Sequence, residues 1–234
     1  LNYAKLIKPI HRQIRNEVEM NSQESVRLYC SLMEEVKVRL ALINNTYQNN
    51  ENIPPMMVRE ICYLQFRFIC EIIALACLVA HGDLPEAKAL KDTYEPGKII
   101  KHLDRIKPFF YPQPMELERN ESNKTVIFAG HPDSFHLTQT ELPVLWGKAG
   151  DILHRSPMVK VLSKKRNNLD DFSDVFEWSA KLTGLLNTHW ITLKENKTGM
   201  FVSLQAKETN RVAVSILDFE SKHGEVKISE TWVV

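Results

Sequence analysis

Residues 61–80 constrain the fold more than any other stretch of this chain. Read as one helix, they carry apolar side chains on nearly every side, interrupted only by Gln65, Arg67 and Glu71. A helix that is apolar all round is buried, and a charge inside it needs a partner. Arg67 and Glu71 are four residues apart and share a face. We therefore predict a buried polar pair, in which these two residues bind each other or a polar cluster on a neighbouring helix.

The overall composition is that of an ordinary globular protein. Hydrophobic residues make up 44% and charged residues 25% of the chain, which is typical of a folded protein rather than a disordered one. The 30 basic and 29 acidic residues nearly cancel, so net charge gives no argument for a nucleic-acid or membrane partner. Any such surface has to be a local patch.

The cysteines favour a reducing compartment. Three of the four lie within the apolar helix and one lies in an earlier helical stretch, and no two have the close spacing of a zinc site. We interpret Cys30, Cys62, Cys70 and Cys77 as small apolar core residues. This interpretation predicts a cytoplasmic protein with no metal site and no cofactor.

A membrane partner is not expected. The longest uninterrupted apolar run covers residues 72–80, whereas a bilayer span takes about 20 residues. The first 15 residues also lack the hydrophobic run of a signal peptide. A soluble interior helix is the better interpretation of the apolar stretch.

Apolar periodicity predicts helices first and strands last. Helical patterns cover 22–43, 56–80, 85–91, 96–106, 139–154 and a stretch from a cap at Asp170 or Asp171 to Leu185. Thr138 and Glu141 have the spacing of a capping box. Alternating patterns predict strands at 125–128, 190–193, 200–206, 212–217 and 226–233.

These elements predict an α+β fold that is mainly α, with an antiparallel helical bundle followed by a small C-terminal antiparallel β meander. Residues 1–187 are assigned to the helical domain, and residues 188–234 to a β region packed on the helices. In the second of the four C-terminal strands, alternation places Met200, Val202 and Leu204 inward and Phe201, Ser203 and Gln205 outward.

The segment 145–154, with the sequence LWGKAGDILH, contains the candidate catalytic residues. Lys148, Asp151 and His154 are three residues apart and fall roughly along one side of a helix. Lysine offsets phosphate charge, histidine acts as acid or base near neutral pH, and aspartate orients the imidazole. In the alternative interpretation, His154 interacts with the last helical carbonyls, while Lys148 and Asp151 form a solvated face.

Long antiparallel helices followed by a helix with a basic residue and a histidine resemble the HEPN superfamily. Many of its members are metal-independent ribonucleases or inactive relatives of them. The family motif is an arginine, four to six residues, and a histidine; here Lys148 and His154, with five residues between them, match it most nearly. Lysine keeps the charge but lacks the bidentate fork that fits a phosphate. The resemblance implies a helical domain within residues 20–187 and a homodimer formed through the helices.

We therefore predict a non-catalytic helical interaction protein, resembling an inactive HEPN protein, that acts through self-association or a macromolecular partner. The alternative is a metal-independent endoribonuclease that uses Lys148 and His154. A basic loop is a candidate RNA contact, although a charge run of this size is also typical of a solvated surface. Its residues are Lys160, Lys164, Lys165 and Arg166.

Overall fold

The fold class is α+β, mainly α, as the sequence predicts. The computed structural model describes residues 22–82, 90, 92–120, 125–130, 135–154, 171–193, 198–219 and 226–233. Within them the elements follow in the order α1 (Ser22–Gln48), α2 (Pro55–Ala80), α3 (Pro96–Ile106), β1 (Gln113–Asn120), β2 (Thr125–Gly130), α4 (Glu141–Leu153), α5 (Ser173–Leu186), β3 (Thr188–Thr192), β4 (Thr198–Ser203), β5 (Ala213–Phe219) and β6 (Val226–Val233). Of the helix predicted at 85–91, only residue 90 lies within the described residues.

The two long helices α1 and α2 form the centre of the bundle. The short connection at 49–54 makes them antiparallel neighbours. Pro55 opens α2, because its fixed φ and missing N–H suit a first helical turn. The fully buried side chains of this helix pair include Tyr29, Met33 and Ile43 from α1 and Phe66, Ile69 and Ile73 from α2.

α1 continues beyond its predicted end at residue 43. The run at 44–52 that follows is polar and consists of weak helix formers. The Ser179 hydroxyl of α5 donates a hydrogen bond to the Asn44 side-chain oxygen over 2.9 Å, and Thr46 is buried. Tertiary contacts therefore extend the helix to Gln48.

α2 is mostly buried, but not on all sides. By length and composition it is the one described helix that could cross a membrane, and 67% of its most apolar stretch lies buried inside the protein. The core helix of a soluble protein has the same properties, so α2 alone is weak evidence for a membrane span. Four apolar residues on one line of the helix remain accessible: Met57, Leu64, Phe68 and Leu75.

A six-stranded antiparallel sheet accompanies the helices, in the order β2-β1-β3-β4-β5-β6. β3 to β6 form the predicted meander. β1, which the sequence analysis did not predict, pairs with β3 at Gln113↔Trp190 and Pro114↔His189. Its sequence is rich in charge and poor in β-formers, so its strand conformation depends on its partners. The sheet is thus continuous across the predicted domain boundary at 187/188, and the domain assignment stays a prediction.

Burial in β4 corrects one part of the predicted alternation. Met200 and Val202 are buried, as expected for inward positions, and so is Leu204 just after the strand. Phe201, predicted to face outward, is only 8% exposed. A strand covered on both faces loses the alternation that marks a half-exposed strand.

A buried hydrogen bond ties the sheet to α1. The Tyr29 hydroxyl lies 2.7 Å from Nε2 of His189 in β3, and Nδ1 of the same ring lies 3.0 Å from the Leu186 carbonyl oxygen. The carbonyl can only accept, so Nδ1–H donates to it and Nε2 accepts from Tyr29. Burial lowers the pKa of His189 to about 4. The imidazole is therefore neutral at pH 7 and joins two layers of the core.

Candidate functional site

α4, which contains the predicted catalytic residues, is held at its start by the predicted capping box. The Thr138 N–H donates to Glu141 Oε2 over 3.0 Å, and the Glu141 N–H donates to Thr138 Oγ1 over 3.3 Å. The preceding segment is fastened to α5 by a 2.8 Å bond from the Leu137 N–H to the Lys181 carbonyl. A Cβ at Gly184 would stand 2.2 Å from the Phe135 carbonyl oxygen, so glycine is needed for this close crossing.

The end of α4 separates His154 from the other two predicted residues. The helix ends at Leu153, and His154 follows in an extended conformation with its N–H donating to the Gly150 carbonyl over 2.9 Å. Both Asp151 and His154 are exposed. Among the described residues, no hydrogen bond or ion pair joins Lys148 to Asp151 or to His154. The three side chains do not form one constellation.

Lys148 instead lies at the junction of α2, α4 and α5. Its Nζ is 3.7 Å from Asp174 Oδ2 and 5.7 Å from the ring centres of Tyr63 and of Trp178. Attraction between an ammonium group and aromatic faces stabilises this position. The Lys148 side chain is still 41% exposed, so it keeps contact with water.

The Asp174 cluster consists of Arg59, Tyr63, Lys148, Asp174 and Trp178. Arg59 Nη1 lies 2.6 Å from each carboxylate oxygen of Asp174, and Nη2 of the same guanidinium donates to the Asp171 carbonyl. The Tyr63 hydroxyl donates to Asp174 Oδ2 over 2.6 Å. One carboxylate therefore joins a guanidinium, a phenol and an ammonium group.

The electrostatics of this cluster favour a structural role over proton transfer. Burial alone would raise the pKa of Asp174, but hydrogen bonds from Tyr63 and Arg59 outweigh it and hold the pKa below its ordinary value. Burial, followed by the bond to Asp174, raises the pKa of Tyr63. At pH 7 the carboxylate is thus ionised and saturated with donors, while the phenol keeps its proton. Neither group is poised as a general base.

The predicted pair on α2 lies against α4. Arg67 Nε is 3.4 Å from Glu71 Oε1, and the Trp146 indole N–H donates to the same oxygen over 2.8 Å. The guanidinium also lies 4.4 Å from the centre of the Trp146 ring. A Cβ at Gly150 would stand 3.1 Å from Arg67 Nη1, so a small residue of α4 makes room for the arginine.

The degree of burial of this pair corrects the prediction. The Arg67 and Glu71 side chains are 25% and 27% exposed, so the pair is partly solvated and does not lie in a dry interior. The physical reason is that α2 keeps one side toward solvent, and the pair lies beside that side. The indole of Trp146 supplies the polar partner from a neighbouring helix.

The accessible side of α2 forms the outer stripe, defined as Met57, Leu64, Phe68 and Leu75. These side chains are 37 to 51% exposed. Their spacings of seven, four and seven residues keep them within about 20° of one line along an α-helix. Sequence reasoning missed this surface because it interpreted α2 as buried on every side.

Further apolar residues of α1 flank the outer stripe. The Arg39 guanidinium of α1 lies 4.4 Å from the centre of the Phe68 ring and also binds Glu35. Leu28, Glu35 and Leu42 follow one another at seven-residue intervals and so share one side of α1. Leu28 and Leu42 are both exposed. The apolar surface therefore extends over two adjacent helices.

The remaining predictions concern the basic loop, the metal site and the cysteines. Lys160, Lys164, Lys165 and Arg166 lie outside the described residues. Within the part of the chain that the structure describes, no group of three or more His, Cys, Asp or Glu residues is arranged to hold a metal ion. The four cysteines are buried free thiols.

The members of the Asp174 cluster other than Lys148 were not found from the sequence. Arg59 and Tyr63 are four residues apart and share a face of α2, which was an available signal. Asp174 follows Tyr63 by 111 residues, and no local pattern joins positions so far apart. Comparisons with protein-family models, curated proteins and solved structures find no match to this chain. The HEPN resemblance thus stays a prediction, and function is argued from the geometry.

Proposed function

We propose that this protein is a non-catalytic helical interaction protein, resembling an inactive HEPN protein, that acts by associating with itself or with a macromolecular partner. The outer stripe is the observation that supports this function most. It places four large apolar side chains in contact with water on a helix that is otherwise mostly buried. Contiguous exposed apolar surface of this kind marks interaction sites.

The arrangement around α4 supports the non-catalytic part of the proposal. A metal-independent nuclease needs its base and its cation at one phosphate group. Here Lys148 is turned into the Asp174 cluster, whereas His154 follows the end of the helix and is exposed. Lysine also lacks the bidentate fork with which arginine binds a phosphate.

The state of the cysteines supports a reducing compartment, and a cytoplasmic location is part of the proposal. All four thiols are free and buried. Burial raises the pKa of Cys30 and of Cys62 to about 11. Such thiols are protonated at pH 7 and serve packing rather than chemistry.

Light scattering after size-exclusion chromatography tests the association. One chain has a mass of 27.1 kDa, and we expect twice that mass at micromolar concentrations. A mass of 27.1 kDa throughout this range would contradict self-association. Leu64→Glu is the matched perturbation, because a charge in the outer stripe is expected to shift the mass toward one chain. Leu64 is only 38% exposed, so a thermal melt checks that the variant keeps its fold.

A further inference from the structure

The four positions of the outer stripe are symmetric about position 66 of α2. Met57 and Leu75 each lie nine residues from position 66, and Leu64 and Phe68 each lie two residues from it. A two-fold symmetric interface requires this property, because residue i must meet residue j while j meets i. An antiparallel pair of identical helices satisfies it when the axis passes level with position 66.

We propose that the outer stripe of one chain packs antiparallel on the outer stripe of a second copy, about a two-fold axis level with Phe66. In this arrangement Met57 meets Leu75 of the second copy, and Leu64 meets Phe68 of the second copy. The inference rests on the proposed function and specifies the partner and the geometry. Phe66 itself is fully buried on the opposite side of α2 and takes no part in the contact.

The extent of the surface fits a second copy of this chain. At 1.5 Å per residue, the stripe from Met57 to Leu75 is about 27 Å long. Leu28 and Leu42 of α1 widen it to two helices, which adds about 10 Å. At about 27 Å by 20 Å this surface measures about 540 Å², so the polar rim has to supply the rest of the roughly 800 Å² that each partner contributes to a stable interface.

The charges around the stripe allow two identical faces to meet. On the α1 side, Arg39 is paired with Glu35 at the edge of Phe68. On the α4 side, Arg67 is paired with Glu71. Each rim therefore carries both signs of charge. The α4 rim also includes the exposed Glu60, which this axis brings level with the Arg67–Glu71 pair of the second copy, so Arg67 supplies the positive charge there.

The length of the stripe also restricts the crossing angle. All four residues stay in contact over about 27 Å only if the two helices cross at a shallow angle, near the roughly 20° class of helix packing. A steeper crossing would engage Leu64 and Phe68 alone. The symmetric pairs at the ends of the stripe therefore distinguish a long antiparallel contact from a point contact.

Single-cysteine crosslinking of the full chain tests the geometry. The four native cysteines are fully buried, so an exposed introduced thiol is the reactive one. Met57→Cys, Leu64→Cys, Phe68→Cys and Leu75→Cys are treated separately with a short bis-maleimide. Tyr94→Cys, an exposed position outside the stripe, is the matched control, and a thermal melt checks that each variant folds.

In the antiparallel pair, Leu64→Cys and Phe68→Cys form covalent dimers, because the two copies of each position are about 6 Å apart along the axis. Met57→Cys and Leu75→Cys do not crosslink alone, because their copies are about 27 Å apart. A mixture of these two variants does crosslink. We expect covalent dimer in the positive samples to exceed the Tyr94→Cys control by at least about tenfold.

The outcomes separate this inference from the proposed function. Crosslinking of all four variants alone would indicate parallel helices and overturn the antiparallel arrangement. A dimeric mass with no crosslink above the control at any stripe position would place the interface elsewhere, and the proposed self-association would survive. A monomeric mass with no crosslink would overturn both the antiparallel arrangement and self-association, and would leave only a different macromolecular partner.

Discussion

α2 carries two arginines eight residues apart that make very different ion pairs. Arg59 binds a carboxylate that lies 115 residues away in sequence, at 2.6 Å, and shares it with Tyr63 and Lys148. Arg67 binds a carboxylate on its own helix at 3.4 Å, beside solvent. The first pair fastens α5 to α2, whereas the second would be geometrically possible in the isolated helix. The pair that the sequence predicts, Arg67–Glu71, therefore links the helices less strongly than the Arg59–Asp174 pair, which it does not predict.

The Tyr29–His189 bond is a fully buried contact between distant segments. We expect it to have the largest effect on the free energy of unfolding. The folded pKa of His189 is about 4, below the roughly 6.5 of the unfolded chain. Between these values the unfolded chain binds a proton that the folded chain does not, so stability falls as pH falls. The loss should reach about 3 kcal/mol near pH 4.

Denaturant melts from pH 7 to pH 4 measure this loss. His189→Gln is the matched control, because it keeps a polar side chain but cannot titrate. The difference between the wild-type and variant pH profiles isolates His189 from the other histidines. Parallel profiles for the two proteins would show that the ring is solvated in the folded state.

Removal of Asp174 tests the long-range pair on α2. Asp174→Ala leaves the Arg59 guanidinium and the buried Tyr63 hydroxyl without their acceptor. Because the carboxylate is partly exposed, we expect a loss of about 2 kcal/mol in the free energy of unfolding. Asp151→Ala on the exposed side of α4 is the control and should stay within about 0.5 kcal/mol. Equal effects of the two substitutions would contradict a structural role for the cluster.

Removal of Glu71 tests the local pair. Glu71→Ala takes one acceptor from Arg67 and from the Trp146 indole. A dry ion pair would cost about 3 to 5 kcal/mol to break, but this one is partly solvated, so we expect about 1 kcal/mol. Chemical denaturation of the variant measures it. A loss larger than that of Asp174→Ala would reverse the comparison.

The smallest expected effect concerns the residues that the sequence marked as catalytic. Purified protein should leave single-stranded RNA intact in the presence of EDTA, and His154→Ala should change stability by less than about 0.5 kcal/mol. The reason is that Lys148 belongs to the Asp174 cluster while His154 is exposed beyond the helix. Gel analysis of a labelled RNA measures cleavage. Activity that survives EDTA and disappears in both Lys148→Ala and His154→Ala would establish the ribonuclease alternative.

Local patterns predicted much of the fold. The helix at Pro96–Ile106 has its predicted bounds, since one proline opens it and another follows its end. The capping box of Thr138 and Glu141 is present. The pairing of Arg67 with its neighbour on the same helix was also accessible from sequence, because residues four apart share a face. The degree of burial of that pair could not be predicted from sequence, because it depends on which helices cover α2.

The sequence by itself therefore determined the fold class, most helices, the C-terminal meander and the polar positions of α2, because these follow from interactions within a few residues. Only the tertiary structure decided that β1 joins the sheet, that Lys148 turns to Asp174 rather than His154, and that α2 keeps an apolar stripe in solvent. Each of these depends on contacts between segments remote in the chain. Periodicity identifies a residue's face on its own helix, and packing decides what that face meets.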